Sequence, residues 1–302
     1  MSHPIPPFDK PEIRQAKQLI LMALDEDLGT TGDITSLSTI PEAATSVGRF
    51  VARRDGIISG LPIIGLIAEQ FQPGIQWKPF VSDGDRVSPG EVLGEVRGQT
   101  RSILALERIS LNFLQRLSGI ATMTSRFVEK TAGTKSKVLD TRKTTPGWRA
   151  LEKYAVRCGN GHNHRIGLHD AILIKDNHLA ALVANGCVSP ITEAVQRARV
   201  FSGPKIFVTV EVDHLGQLPE ALNVHPDCIL LDNFTPEMAG LALKQRDALA
   251  PGVLLEISGG LTIDKIAEFA RLGIDRLSVG ALTHSAPALD IALDFPEMLS
   301  DH

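Results

Sequence analysis

Three cysteines in 302 residues, Cys158, Cys187 and Cys228, are too few and too scattered for a disulfide framework or a cysteine-rich zinc site. The chain lacks any continuous apolar run long enough to span a bilayer, and its opening, MSHPIPPFDKPEIRQ, has no apolar signal-peptide core. These absences set the expectation of a reducing, cytoplasmic setting without a membrane span. An excess of positive charge is missing too. Lys and Arg number 31 against 35 Asp and Glu, a net −4, and the pI near 6.1 disfavours nucleic acid as a partner. No low-complexity segment is present, and the Pro-rich stretch before Pro11 reads as a loose tail. With 43% hydrophobic and 22% charged residues, the composition is that of a globular protein long enough for two domains.

Charge is nevertheless unevenly distributed. From Lys135 to Lys175 there are nine Lys/Arg against three Asp/Glu, a local +6, so the rest of the chain sums to −10. Within this window the stretch LDTRKTTPGWR sets Arg142 and Lys143 just beyond a short apolar run. Surface salt bridges are the ordinary use of such cations. A basic enclave inside an acidic protein instead suggests a small polyanionic ligand.

The first third reads as mixed α/β. PEIRQAKQLILMALDEDLG has helical spacing with Gly29 as a stop, GRFVARRDGIISG reads as strand and turn, and LPIIGLIAEQF reads as a buried helix. FVSDGDRVSPGEVLGEVRG reads as short strands between Asp-Gly and Pro-Gly turns. A lipoyl or biotinyl carrier shares that pattern, but no lysine sits at a hairpin tip here, so a structural β layer is favoured. Thr100 to about Thr131 reads as long helix with a break near Gly119. From Lys137 onward, six apolar strands (KVLD, AILIK, IFVTVEV, CILLD, VLLEIS, RLSVG) alternate with helical segments, which implies a parallel sheet. The strand ends carry Asp140 to Lys143, Lys175, Glu211, Asp232, Ser258 and Gly280. Polar groups at every strand's carboxyl end favour a (β/α) barrel over an open sheet, and six strands instead of eight imply an incomplete one. The expected boundaries are a first domain over 1–116 and a barrel over 117–285, with the tail 286–302 a candidate to pack back on the first.

Arg142, Lys143, Lys175 and Arg165 form a cationic group suited to carboxylates and phosphates. Glu211 and Asp232 offer hard oxygen donors for Mg2+, directly or through its waters, with plain salt bridging as the alternative. The glycine-bearing segments Ser258–Gly260 and Val279–Ala281 can bring backbone N–H groups close to an anion, with helix starts expected behind Thr262 and near Pro287. His162 and His164 raise a rival, a metal-dependent barrel hydrolase. That chemistry needs further histidines on later strands, where only His214 is available, so His164 reads better as a donor to a substrate carboxylate.

Together, LDTRKTTPGWRALEKYAVRCGNGHNHRIGLHDAILIKDNH, the upstream EDLG and GDIT, and the downstream VEV, LLDNF, EISGG and SVGALTHS closely resemble the quinolinate phosphoribosyltransferase family from about residue 12 to 295. The resemblance implies an N-terminal α/β sandwich domain followed by an incomplete α/β barrel of parallel strands, in a homodimer or higher homo-oligomer. It implies joining quinolinate to 5-phosphoribosyl 1-pyrophosphate (PRPP) with Mg2+, giving nicotinate mononucleotide, pyrophosphate and CO2 for NAD synthesis. By motif it gives Thr141, Arg142, Lys143, His164, Arg165, Lys175, Glu211 and Asp232 to the substrate site. Lys143, Lys175, Glu211 and Asp232 are the candidates for catalysis, with Glu211 and Asp232 also for Mg2+. Ser258, Gly259, Gly260, Val279, Gly280 and Ala281 match the phosphate loops, and Arg108 matches the arginine lent to a neighbouring subunit. Asn160, Thr145, Trp148 and the residues after Arg108 depart from the commonest pattern, and none replaces a charged site residue. A non-catalytic phosphometabolite-binding barrel is the other reading; retention of all five cations and both carboxylates argues against it.

Overall fold

The computed structural model describes residues 7–71 and 74–296, and the loose tail expected before Pro11 falls largely outside that range. The described residues divide into two units. One holds residues up to Ser125, Thr144–Asn160 and those from Leu282 onward, and the other holds Arg126–Lys143 and Gly161–Ala281.

The first unit opens with α1 (Lys10–Leu28), ended by Gly29 as its spacing predicts, and a short α2 (Ile34–Thr39). Asp33 of the GDIT stretch caps α2, its carboxylate accepting from Thr35 N and Ser36 N at 3.1 Å each. Those bonds and the Ser36 hydroxyl hold its pKa below the ordinary value. Asp33→Ala is expected to cost about 1 kcal/mol in denaturant unfolding, the ordinary worth of such a cap, and an unchanged midpoint would contradict it. Strands β1 (Thr45–Ala52) and β2 (Gly56–Ile57), helix α3 (Leu61–Ala68), and strands β3 (Gln76–Pro79), β4 (Arg86–Val87) and β5 (Val92–Gln99) follow. The turn after β3 does more than reverse the chain. Asp83 accepts from Gly60 N (2.9 Å), Leu61 N (3.0 Å) and the Tyr154 hydroxyl (2.8 Å), capping α3 where Gly60 has no side chain to do so.

Helix α4 (Thr100–Lys130) is continuous over 31 residues, so the break expected near Gly119 does not occur. The glycine serves close approach: a Cβ at Gly119 would overlap the Pro287 carbonyl oxygen. Strand β6 (Lys137–Leu139) opens the second unit, and α5 (Arg149–Cys158) belongs to the first. On α5, Glu152 is fully buried and accepts from Thr145 N (3.1 Å), Thr145 Oγ1 (2.9 Å) and Arg116 (2.7 Å). Trp148 stacks on Phe113 at 4.8 Å. Two of the departures from the commonest family pattern therefore have local partners. A third, Asn160, sits at φ 64, a left-handed position that glycine fills most easily and asparagine tolerates.

The second unit continues with β7 (Ile172–Ile174), α6 (Asp176–Ala184), α7 (Pro190–Ser202), β8 (Val208–Val212), α8 (Leu218–Asn223), β9 (Cys228–Asp232), α9 (Pro236–Leu249), β10 (Leu254–Ser258), α10 (Ile266–Leu272) and β11 (Arg276–Ser278). A four-residue α11 (Ala281–His284) and β12 (Ile291–Asp294) complete the described chain. The first unit's sheet is antiparallel, order β12-β1-β5-β3, with β2 and β4 as a separate pair. The second unit's six strands run parallel in the order β6-β11-β10-β9-β8-β7. All six correspond to the apolar runs in the sequence. VTVEV is buried at every position, as expected for a parallel strand covered on both faces. Among the described residues no helix is long and apolar enough to cross a membrane.

Helix α10 follows a turn at Thr262, as expected, with the Thr262 carbonyl accepting from Ile266 N at 3.0 Å. The helix expected near Pro287 is instead α11, ending at His284. Proline disfavours helical geometry in the residue before it, and the chain runs on without helix to β12.

Candidate functional site

The chain leaves β6 through Asp140, which is fully buried. Its carboxylate accepts from Asn163 Nδ2 (2.6 Å) and His164 N (2.8 Å). The backbone of the GNGHNHR stretch lies along the edge of β6. His162 N donates to Val138 O (2.8 Å), Asp140 N donates to His162 O (3.1 Å), and Leu139 and His162 form a parallel bridge. Farther on, the Arg165 guanidinium donates to Ala171 O at 3.1 Å, immediately before β7. The loop thus ties together the two end strands of the six-stranded sheet, an arrangement the sequence shows only as a glycine-rich connection.

This anchoring gathers the cations. Burial, and then the charge of Arg142, pull the Arg165 pKa below the ordinary arginine value, with Asp170 opposing them. Lys143 is exposed one residue beyond, in a turn where its N–H donates to Thr141 Oγ1 at 3.1 Å. Lys175 follows β7 and meets Glu211 of β8, Nζ to Oε2, at 2.6 Å. The lysine side chain is 46% exposed and the glutamate side chain 6%, so a nearly buried carboxylate has an accessible cation.

Glu211 is joined by Asp213 and Asp232, with one carboxylate oxygen from each lying within 4.8 Å of the others. Burial raises the Asp232 pKa, Asp213 and Asp176 add to the rise, and Lys175 and Lys143 oppose it. Lys175 stands by the acidic group through its 2.6 Å contact with Glu211, and the charge of Lys143 also reaches Asp232. Asp213 was missing from the sequence reading. Its signal was available in VEVD, because residues two apart on a strand share a face. Hard, closely spaced carboxylate oxygens fit Mg2+. No histidine joins this set, the only such cluster among the described residues, and that disfavours the zinc-hydrolase alternative.

The late loops divide in role. Gly259 (φ 92) and Gly260 (φ 59) both take left-handed backbone. A Cβ at Gly259 would collide with the Asn233 side chain, whereas the space at Gly260 is open. Asn233 in turn donates to Asp232 Oδ2 at 2.7 Å, and its N–H to Ser258 O at 2.9 Å. Gly259 therefore packs the loop, and Gly260 leaves room for an anion. Val279 is 1% exposed and its N–H donates to Leu139 O at 2.9 Å, so that amide is taken up by the sheet. Gly280 and Ala281 follow it.

His164 is held from both sides of its ring. Its Nε2 lies 3.2 Å from the fully buried Glu256 on β10, and its Nδ1 accepts from Arg165 N at 2.8 Å. Both ring nitrogens therefore meet partners within the protein. Burial alone would raise the Glu256 pKa, but His164, Arg276 and Ser278 hold it down at about 2. Sequence reasoning passed over Glu256, although an acid inside the apolar strand LLEIS signals a satisfied buried charge. Arg108 lies exposed on α4, in the first unit. The enclave is also smaller than its charge count suggests. Lys135 pairs with Asp275 at 2.9 Å, Arg157 with Glu12 at 2.8 Å, and Lys153 is 2% exposed on α5.

Comparison with known proteins gives the arrangement a family. The N-terminal domain model of quinolinate phosphoribosyl transferase matches residues 33–118, and the C-terminal domain model matches 120–294. A nicotinate-nucleotide pyrophosphorylase [carboxylating] from Mycobacterium leprae is 44% identical, covering 94% of this chain and 98% of its own. A probable enzyme of the same name from Bacillus subtilis is 42% identical over 93% of each chain. The solved structure of the nicotinate-nucleotide pyrophosphorylase from Francisella tularensis superposes with a TM-score of 0.86 at 36% identity, covering 96% of this chain and 99% of that one. With both domain models matched across most of its length, the chain belongs to the quinolinate phosphoribosyltransferase family.

Proposed function

We propose that the protein joins quinolinate to PRPP and decarboxylates the adduct, yielding nicotinate mononucleotide, pyrophosphate and CO2 in NAD biosynthesis. The observation that carries this reading is the union of a cationic and an acidic half at the second unit's strand ends, linked by the 2.6 Å Lys175–Glu211 pair. Quinolinate brings two carboxylates, and PRPP brings roughly five negative charges near neutral pH. Arg142 and Arg165 clamp the dicarboxylate, with Thr141 shaping the turn that presents them. Lys143, Lys175, Ser258–Gly260, Gly280 and Ala281 hold phosphate groups.

As the bond from the anomeric carbon to pyrophosphate breaks, positive charge grows on the ribose ring. Glu211 and Asp232 stabilise that charge, and Lys175 keeps Glu211 in place. The pyridine nitrogen forms the new bond to the anomeric carbon. Its ring is then cationic and accepts the electron pair released as the 2-carboxylate departs as CO2, and the ring carbon takes up a proton. No covalent nucleophile is required of the protein. The buried Cys158 is pushed up to about 12, unsuited to that role.

Glu211, Asp213 and Asp232 would hold Mg2+, which when bound neutralises the pyrophosphate as it leaves. Asp213→Asn is expected to raise the Mg2+ concentration for half-maximal turnover about tenfold. Quinolinate binding measured by calorimetry should stay native in that variant, and an unmoved Mg2+ dependence would remove Asp213 from the metal set.

The enzyme acts as a homodimer or higher homo-oligomer in which Arg108 serves a neighbouring subunit. Mixing inactive Arg108→Ala and Lys175→Ala proteins should restore up to about a quarter of native activity after random exchange. No recovery after verified exchange would return Arg108 to its own chain. The reading puts the reaction in the cytoplasm, in keeping with three cysteines present as thiols. The deciding experiment follows quinolinate loss with PRPP and Mg2+ present or omitted. Equal yields of CO2 and nicotinate mononucleotide, dependent on both, are expected, and use of nicotinate in place of quinolinate would overturn the assignment.

A further inference from the structure

Glu256 is fully buried on β10, and none of the roles above uses it. Burying a carboxylate is unfavourable unless its oxygens are satisfied. Here Oε1 accepts from Ser278 Oγ at 2.6 Å and lies 3.2 Å from His164 Nε2, and Oε2 accepts from Arg276 Nε at 2.7 Å. Two of these partners come from β11, beside β10 in the sheet, and the third comes from the loop on the edge of β6.

The His164 ring is the link. Because Nδ1 accepts the Arg165 amide at 2.8 Å, the ring proton belongs on Nε2, directed at Glu256. Asp140 holds the same loop by another route, through His164 N and the Asn163 side chain. Asp140 therefore fixes where the loop leaves β6, and Glu256 fixes which His164 nitrogen faces Arg165.

We propose that Glu256 is a positioning residue for quinolinate: by holding His164 as the Nε2–H tautomer, it sets the Arg165 main chain and so the guanidinium's place beside Arg142. This inference rests on the reaction proposed above for its substrate, but the relay can be tested without turnover. In enzyme labelled with 15N-histidine, and with the His164 signals assigned using His164→Asn, the native ring should carry its proton on Nε2 and leave Nδ1 bare. A proton on Nδ1 would overturn the relay whether or not quinolinate is the substrate.

Glu256→Gln tests the consequence. Glutamine keeps the volume but has one acceptor where glutamate has two, so a donor must meet a donor at either Arg276 or His164. Arg276 cannot give up its proton whereas the His164 ring can move its own, so the amide oxygen should turn to Arg276, the His164 tautomer should shift, and KM for quinolinate should rise about tenfold. The turnover number and KM for PRPP should stay within about twofold. Glu256→Asp keeps an acceptor-only group and should restore the native tautomer with an intermediate KM. A role confined to folding would lower the melting temperature and the active fraction but leave KM unchanged. If native enzyme turns over quinolinate and folded Glu256→Gln shows an unmoved quinolinate KM, the inference fails while the proposed function stands.

Discussion

Lys175→Ala is expected to lower turnover about 10^2–10^3-fold, the usual loss when one preorganised charge at a reacting centre is removed. Two effects combine. The accessible ammonium no longer meets the polyanionic donor, and Glu211, with its side chain only 6% exposed, loses its partner at 2.6 Å. The substitution isolates the side chain, because the bond from Lys175 N to His178 Nδ1 at the start of α6 is made by the backbone. A double-mutant cycle with Glu211→Gln separates the two effects. If Lys175 acts mainly by holding Glu211, the double variant should be little worse than Glu211→Gln. If the ammonium chiefly meets the leaving group, the losses should multiply. Turnover within about threefold of native in Lys175→Ala would refute both.

Arg142→Ala is expected to weaken quinolinate by roughly 2–5 kcal/mol and to change PRPP affinity far less. The reason lies in the Arg142–Arg165 pair. Burial and the neighbouring positive charge both act against Arg165, so a ligand with two adjacent carboxylates relieves a repulsion already present in the protein. A monocarboxylate relieves less of it. Nicotinate should therefore bind native enzyme more weakly than quinolinate, and Arg142→Ala should narrow that gap. Arg142→Lys should recover only part of the affinity, since an ammonium lacks the planar fork that meets a carboxylate at two points. Near-native saturation by quinolinate in Arg142→Ala would transfer the role to Arg165 alone.

The six parallel strands were legible because each is a short apolar run bounded by polar residues, as in CILLD and VLLEIS. Lys175 was legible as the cation after AILIK, and Glu211 as the acid in VEV, because strand-end polarity survives in the linear sequence. Gly119 misled, since a glycine in a helical pattern has the same local propensity whether it breaks the helix or admits a neighbour's carbonyl. Val279 shows a related limit. A backbone amide beside glycine looks available until the ladder to Leu139 is known. The Arg-Lys enclave was visible as charge density, but nothing local distinguishes Arg157, paired with Glu12, from Arg165.

By itself, then, the sequence determined the strand-and-helix alternation, the positions of the charged groups at the ends of four of the six strands, and the motif series that marks the family. Periodicity and turn chemistry are local properties, written within a few residues of the element they specify. The tertiary structure alone decided which of those groups act on one another. It brought Asp213 to Glu211 and Asp232, set His164 against Glu256, and laid the glycine-rich loop along β6. Burial, repulsion and tautomer depend on distances between residues far apart in the chain. His164 and Glu256 are separated by 92 positions, and two strands, β11 and β6, stand between β10 and the loop in the sheet order, yet the two side chains meet at 3.2 Å.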